Sequence, residues 1–368
     1  MDWGFEEKKI IDTGSLISSM AVAPDGKRIV TGSINSSLTV WEIETGFKPH
    51  RLIEGASSPT IQSLALSSDE SFVVSLPYLS NNLEIHYLKE KDKPAIRLEG
   101  SEESLTKVAI SPQNVIIAGT DKGNIKIWDS LHPNANTTRS LTGHTSSIKA
   151  LAFIDDGSKL ISGSDDQSLL IHDLHTGKIV KSFTLTSPIE ALAVSPSGTF
   201  ASAQKNGEID LWDVHTLQHL GKLRDPIGML LSIDITVDGS RIVTGASNGV
   251  VRFWNIRTGI SITQQSGFGE KIKDVRWLPS EQAAITGSVD QTLRIWDATT
   301  GRNISTWIGH GAGVNAMTLN KDATLAVIGG AGYRDEMLNV WDLSQDNLTR
   351  KLCAVSNVGQ FEVCKAFQ

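Results

Sequence analysis

Residues 38–43 read LTVWEI, and the same pattern returns as LEIHYL (83–88), IKIWDS (125–130), LLIHDL (169–174), IDLWDV (209–214), VRFWNI (251–256), LRIWDA (293–298) and LNVWDL (338–343). The fourth positions are Trp41, His86, Trp128, His172, Trp212, Trp254, Trp296 and Trp341, spaced by 45, 42, 44, 40, 42, 42 and 45 residues. A fixed period changes the meaning of every segment, because each repeat is then one supersecondary unit that buries its apolar face against its neighbours. The residue before each anchor and the one three before it are apolar, and the position between them is polar in every repeat but that of Leu170. A period of two is that of a strand.

Upstream of the anchors stand β-branched runs such as RIVTGS (28–33), KLISGS (159–164) and AAITGS (283–288), and before these come SMAVAP (19–24), ALAFID (150–155) and ALAVSP (191–196). Pro24-Asp25-Gly26, Asp155-Asp156-Gly157, Pro196-Ser197-Gly198 and Val237-Asp238-Gly239 separate the two runs with residues that accept fixed or positive φ. Six positions before the anchors stand Asn35, Ser80, Lys122, Asp166, Asn206, Asn248, Asp290 and Asp335, mostly residues that cap their own backbone in a turn. After the anchors come outer runs such as HRLIEG (50–55), IVKSFTL (179–185) and HLGKLR (219–224). Each unit therefore supplies four short strands.

These marks resemble the tryptophan-aspartate (WD) repeat family. The pair itself stands at Trp128-Asp129, Trp212-Asp213, Trp296-Asp297 and Trp341-Asp342, and the family's Gly-His dipeptide at Gly143-His144 and Gly309-His310. The resemblance covers nearly the whole chain and implies an all-β propeller with four antiparallel strands per blade. The His, Asp, Ser/Thr and Trp chain that ties such blades together is incomplete in every repeat. His144, Ser162 and Asp166 precede His172 instead of Trp, and the repeat of His310, Asp335 and Trp341 has Ile328 near the hydroxyl position. Aliphatic packing is thus expected to carry most of the stability, with polar ties secondary.

Eight anchors predict eight blades in a single domain over 1–368. The second repeat is the weakest, with His86-Tyr87 at its anchor and Pro77-Tyr78 after its second strand, so seven blades with a long insertion is the alternative. Seven outer strands serve eight anchors. The eighth is expected from the first fifteen residues, with 348–355 as the other candidate, leaving 344–368 as a terminal strand or tail.

A formal net charge of -7 weighs against a surface built to neutralise phosphates. The two cysteines, Cys353 and Cys364, give no disulfide framework, and neither a signal-peptide core nor a membrane-length apolar run is seen. An intracellular protein, cytoplasmic or nuclear, is expected. Nucleophile, Rossmann and P-loop signatures are absent, and Gly329-Gly330-Ala331-Gly332 reads as a loop. His172, His175, His215 and His219 cluster in sequence, yet no cysteine or acidic set completes a metal site. No catalytic residue, cofactor or metal is assigned.

In propellers the loops before the innermost strands share a face with those between the second and third strands, and binding is expected there. Tyr78, Leu79, Met229, Leu230, Phe268, Tyr333 and Arg334 are the candidate partner-binding residues on it, with Lys205. Lys205, Lys122 and Lys271 beside Arg334 offer a positive collar for an acidic or phosphorylated peptide, although solvated lysines explain them as simply. The reading is a non-catalytic protein-interaction scaffold or peptide-recognition subunit of a larger assembly, without self-association. Direct contact with nucleic acid, and a metal-binding or enzymatic propeller, are the alternatives.

Overall fold

The computed structural model describes residues 7–343 except 44, 46–47, 54–59, 91–92, 100–101, 130–138, 225–227, 267–268, 279–280, 309–313, 321–324 and 331–336. The period-two segments are strands, and most second and third strands are buried on both faces. In Arg28–Ser33, Ile29 and Val30 are both inaccessible to solvent, as expected of strands sandwiched between two neighbouring sheets.

The described strands form eight four-stranded sheets, each antiparallel throughout. Their first strands are Ile17–Val22, Ile61–Leu66, Leu105–Ile110, Ile148–Ile154, Ile189–Val194, Leu230–Ile235, Ile272–Trp277 and Val314–Leu319, which number blades 1 to 8. Each first strand contacts the first strands of the blades on either side, and the first strand of blade 8 returns to that of blade 1. That closed cycle encloses a central channel. Blade 2 is complete, built from Ile61–Leu66, Phe72–Pro77, Asn82–Tyr87 and Ile96–Glu99, so the weakest repeat is a member of the ring. Blade 8 takes its outer strand from the other end of the chain, where Glu7–Asp12 pairs antiparallel with Met337–Asp342. Residues 344–368, including Cys353 and Cys364, lie outside the described residues.

Blades meet through one recurring contact. Gly32, Gly119, Gly163, Gly245, Gly287 and Gly329 occupy one register position in their second strands, and a Cβ at each would lie 2.5–2.7 Å from a methyl or Cβ carbon of the next blade. The residue met is Ile61, Ile148, Ile189, Ile272, Val314 or Ile17, the first of the next inner strand and always β-branched. The remaining two second strands carry Leu76 and Ala203 at that position, and there the next blade begins with Leu105 and Leu230. A β-branched residue puts a second heavy atom on Cβ close to its own backbone. Glycine makes room for it, whereas leucine branches one carbon further out.

Polar ties are present even where the four-residue chain is incomplete. Indole Nε1 of Trp41, Trp212, Trp254 and Trp296 donates to the hydroxyl of Thr31, Ser202, Thr244 and Thr286 at 2.8–3.1 Å, all within the buried blade. At about 1 kcal/mol each, these bonds match a modest apolar contact. They need only the anchor and the second-strand hydroxyl, so a repeat that has lost its histidine keeps them.

Candidate partner-binding face

One face of the ring is defined by backbone bonds that join the turn between second and third strands to the segment entering the first strand. Ile34 N–H donates to Leu16 C=O, Tyr78 to Thr60, Asp165 to Ser147, Lys205 to Pro188 and Ser247 to Met229. The turns are built by side-chain capping: Asn35, Asp166, Asn206, Asn248 and Asp290 each accept the N–H two residues on.

Blade 2 departs from this scheme. Its turn has one residue more between second strand and anchor, since ten residues separate Leu76 from His86 where nine separate Gly32 from Trp41. The turn closes by Ser80 N–H donating to Pro77 C=O, with Leu79 at φ +54°. A left-handed leucine costs about 1–2 kcal/mol relative to its ordinary conformations. The turn nevertheless presents Tyr78 at 53% and Leu79 at 68% exposure, and the neighbouring turn of blade 1 presents Ile34 at 45%. Thr60 holds the two turns together, accepting from Tyr78 N–H and donating its hydroxyl to Ile34 C=O.

Between blades 1 and 2 lies a cavity of about 400 Å³ lined by residues of both. Ser36 and Leu52 come from blade 1, and Ile61, Ser75, Pro77, Glu84, His86 and Arg97 are among those from blade 2. On the blade 2 side an imidazole, His86, stands where Trp41 and Trp212 place an indole. Its Nε2 lies 3.3 Å from Ser75 Oγ and 3.5 Å from Glu84 Oε2. Carboxylate and hydroxyl share one ring nitrogen, so this is not a relay in which the acid orients the far nitrogen of a base. Since a carboxylate only accepts, Nε2 carries the proton. That hydrogen bond, opposed by burial and aided by the fields of His86 and Arg97, holds the Glu84 carboxyl below the usual range.

Blade 4 does show relay connectivity. His144 Nε2 meets Ser162 Oγ at 2.8 Å, and Nδ1 faces Asp166 at 3.2 Å and Ser168 at 2.6 Å. Ser162 is completely buried, so its oxygen cannot meet a substrate and the network ties the blade. Burial pulls the Asp166 carboxyl up, but Ser168 and the Thr145 N–H outweigh it and the net direction is down. Burial lowers the His144 pKa against the pull of Asp166, leaving a neutral ring that donates to the carboxylate.

The other sequence candidates scatter. Met229 is half-buried, while Leu230 is fully buried as the first residue of blade 6, which corrects its reading as a surface residue. Lys205 is not a free cation of a collar: it reaches Asp165 at 2.8 Å and Glu190 at 3.7 Å, and Asp165 also holds Lys149 at 3.3 Å. Lys122 and Lys271 are exposed. Phe268, Tyr333 and Arg334 lie outside the described residues. The histidines do not converge. His172 is buried with Nε2 3.4 Å from Thr142 C=O, His215 is 73% exposed, and His219 pairs with Asp210 at 2.6 Å. Among the described residues no three metal-binding side chains come together, and no helix is long and apolar enough to cross a membrane.

A charged group in the channel escaped the sequence reading. Third and fifth positions of the inner strands are mostly Ser and Ala, but blade 3 has Lys107, blade 6 has Asp234, and blade 7 has Asp274 and Arg276. Asp234 accepts the Trp277 N–H at 2.8 Å, fastening blade 6 to blade 7, and Arg276 stands 3.6 Å from Asp274. Crowding by the channel walls raises both carboxyls and lowers Lys107, which feels Asp274 and Arg276 from the blade opposite. The interruption of a Ser/Ala pattern by charge was the available signal.

Comparison with known proteins agrees with this architecture. The family described as nucleolar protein 10-like, N-terminal domain, a β-propeller, matches residues 146–338, just over half of the chain, and the WD domain, G-beta repeat, matches 8–42 and 92–129. Protein groucho of Drosophila melanogaster is 31% identical over 185 residues, covering 48% of this chain and 25% of groucho. Eukaryotic translation initiation factor 3 subunit I of Drosophila virilis is 22% identical over 252 residues, 62% of this chain and 78% of that protein. The chain thus spans only a quarter of groucho's length. Among solved structures, Chaetomium thermophilum Sqt1 bound to the N-terminus of ribosomal protein L10 superimposes with a TM-score of 0.76 at 18% identity, over 92% of this chain and all of that one. The computationally designed Ika8 protein gives 0.72 at 25% identity, over 89% and 96%. With its repeat, its ring of four-stranded sheets and a propeller match over more than half its length, the chain belongs to the WD-repeat β-propellers and, among them, to the nucleolar protein 10-like N-terminal domain family.

Proposed function

We propose that the chain is a protein-interaction scaffold whose partner docks on the loop face above blades 1 and 2. The observation that carries this reading is the exposure of Ile34, Tyr78 and Leu79 on two adjoining turns linked through Thr60, with Leu79 held in a conformation that leucine disfavours and with the turn residues Ser36, Pro77 and Ser80 lining a cavity. Backbone strain of this kind persists where the surroundings over-determine it and gathers at ligand-binding sites. An aromatic and two aliphatic side chains rimmed by Ser36, Ser80 and Asn82 have the makeup of an interface core within a polar margin. The solved complex of Sqt1 with a peptide segment of a ribosomal protein, and a relative named as a subunit of an initiation factor, support a binding role for this architecture. The net charge of -7 favours a protein partner over a nucleic acid.

Affinity capture with the intact chain tests the reading. Tyr78→Ala together with Leu79→Asp is expected to reduce partner recovery at least about tenfold, the scale of losing interface anchors. Leu220→Ala, on the outer strand of blade 5, is expected to leave recovery unchanged. Undiminished capture by the double variant contradicts the choice of face.

A further inference from the structure

Four outer strands have side chains described throughout, those of blades 2 to 5, and among them only that of blade 4, Ile179–Thr184, buries none of its six residues. In blades 2, 3 and 5 the outer-strand residue opposite the third one before the anchor is a buried leucine, Leu98, Leu141 or Leu223. Blade 4 places Phe183 there, opposite Leu169, and it is only half-buried. Its ring leans on Trp212 of blade 5 with centroids 4.1 Å apart, and the Lys181 ammonium lies 5.6 Å from the Phe183 centroid. At the start of the strand Ile179 and Val180 are each 44% exposed. Leu170, the residue that breaks the polar pattern of the third strands, belongs to the same apolar run. A Cβ on Gly143 would meet Leu170 Cδ1 at 2.7 Å and Ile179 Cδ1 at 2.9 Å, so both side chains flank one glycine.

An edge strand offers unpaired backbone groups to any other strand, and proteins blunt such edges with shortness, proline or charge. The outer strand of blade 3 has three residues, that of blade 2 has four, and that of blade 1 contains Pro49. In blade 5 the cations of the outer strand are already engaged, His219 with Asp210 and Lys222 with Glu208. Blade 4 has six residues without proline, and no carboxylate stands between Leu174 and Leu185. Lys178 and Lys181 are exposed and form no ion pair among the described residues, while Asp173, the nearest acid in the chain, is capped by the N–H and hydroxyl of Thr176. We propose that this edge takes a fifth strand from a partner protein, an extended segment that sets an acidic residue opposite Lys181 and an apolar one opposite Phe183. Residues two apart share a face of a strand, so the acidic and apolar positions of the incoming segment are also two apart. Backbone hydrogen bonds hold such a strand and the cross-strand pairs select it. A second copy of this chain is disfavoured at the same edge, because lysine would then meet lysine. The surface lies on the rim of the ring and is independent of the loop face above blades 1 and 2.

The test uses the full chain and a displayed library of random peptides. Recovered peptides are expected to carry Asp or Glu two positions from an aromatic or aliphatic residue. A synthetic peptide of that consensus should bind Lys181→Glu about tenfold or more weakly, with the thermal midpoint of the variant unchanged because the side chain is exposed. Replacing the acidic residue of the peptide by lysine should restore binding to that variant, a recovery that loss of fold cannot give. Tyr78→Ala should leave the affinity as it was, and the bound peptide should slow hydrogen–deuterium exchange in residues 179–184. Peptides that depend on Tyr78, a pool with no acidic residue at that spacing, or protection elsewhere than this strand would overturn the proposal. Failure of the charge exchange would do the same, and so would a dimer of the free chain that Lys181→Glu alters, since the edge would then belong to a second copy.

Discussion

At the scale of single residues, the ring is assembled by a matching rule between a glycine and a β-branched neighbour. Gly163 is a close case, where an added Cβ would sit 2.5 Å from Ile189 Cγ2 and 3.1 Å from its Cβ. Gly163→Ala is therefore expected to destabilise the chain by about 1–3 kcal/mol, the usual cost of overpacking. Ile189→Leu in the same chain should recover part of that loss, since Ala203 beside Leu230 is the natural form of the pair. Denaturant unfolding of the four combinations measures it as a double-mutant cycle, and strict additivity would refute the rule. Leu79 gives the opposite case. Leu79→Gly removes a left-handed leucine, so the thermal midpoint should hold or rise while partner binding falls; circular dichroism melts beside a binding assay check both. Tyr78 and Leu79 were legible in the sequence because apolar residues stood where a polar turn belonged. Ile34 was not, since a lone isoleucine beside Asn35 looks like the last residue of a strand. The cavity had no sequence signal of its own, because residues of two blades line it.

At the scale of the element, each blade combines aliphatic packing with a short polar tie, and blade 4 makes its tie sensitive to pH. Burial lowers the pKa of both His144 and His172 from the ordinary 6.5. The unfolded chain then binds more protons than the folded one below that value. Stability from these groups is complete above about pH 6.5 and is lost as pH falls through their lowered folded values. The denaturant midpoint is expected to be lower at pH 5.5 than at pH 7.5, with a smaller difference in His172→Trp. Equal midpoints would show that neither ring is held neutral. Strands were the most legible elements, since alternation around eight anchors leaves few other readings. The individual Trp–hydroxyl ties were not read because the sequence was searched for four-residue chains, whereas Trp254 with Thr244 shows that two residues suffice to make one. Leu230 was misplaced by a single position, Met229 closing the loop and Leu230 opening the strand.

At the scale of the whole molecule, closure depends on one strand borrowed across the chain ends. Glu7–Asp12 completes blade 8 against Met337–Asp342, so a ring edge is covered by a segment some 330 residues distant in sequence. Removing residues 1–12 is expected to lower the thermal midpoint by several degrees and to broaden the transition, as seen by calorimetry; an unchanged melt would mean that the pairing adds nothing to closure. Sequence alone already favoured the amino-terminal segment for this place, since the outer strands were one short of the anchors. The channel charges were less accessible to that reasoning, for Lys107 and Asp274 are far apart in the chain and act on each other only because blades 3 and 7 stand opposite in the ring. Such a ring is a rigid frame, and the turns of blades 1 and 2, which carry the exposed Ile34, Tyr78 and Leu79, are the place proposed above for a partner. Hydrogen–deuterium exchange of the chain with and without its purified partner reads this directly. Slowed exchange in residues 33–37 and 77–82 is the predicted result, whereas protection confined to the outer strands, to the opposite face or to other blades would contradict it.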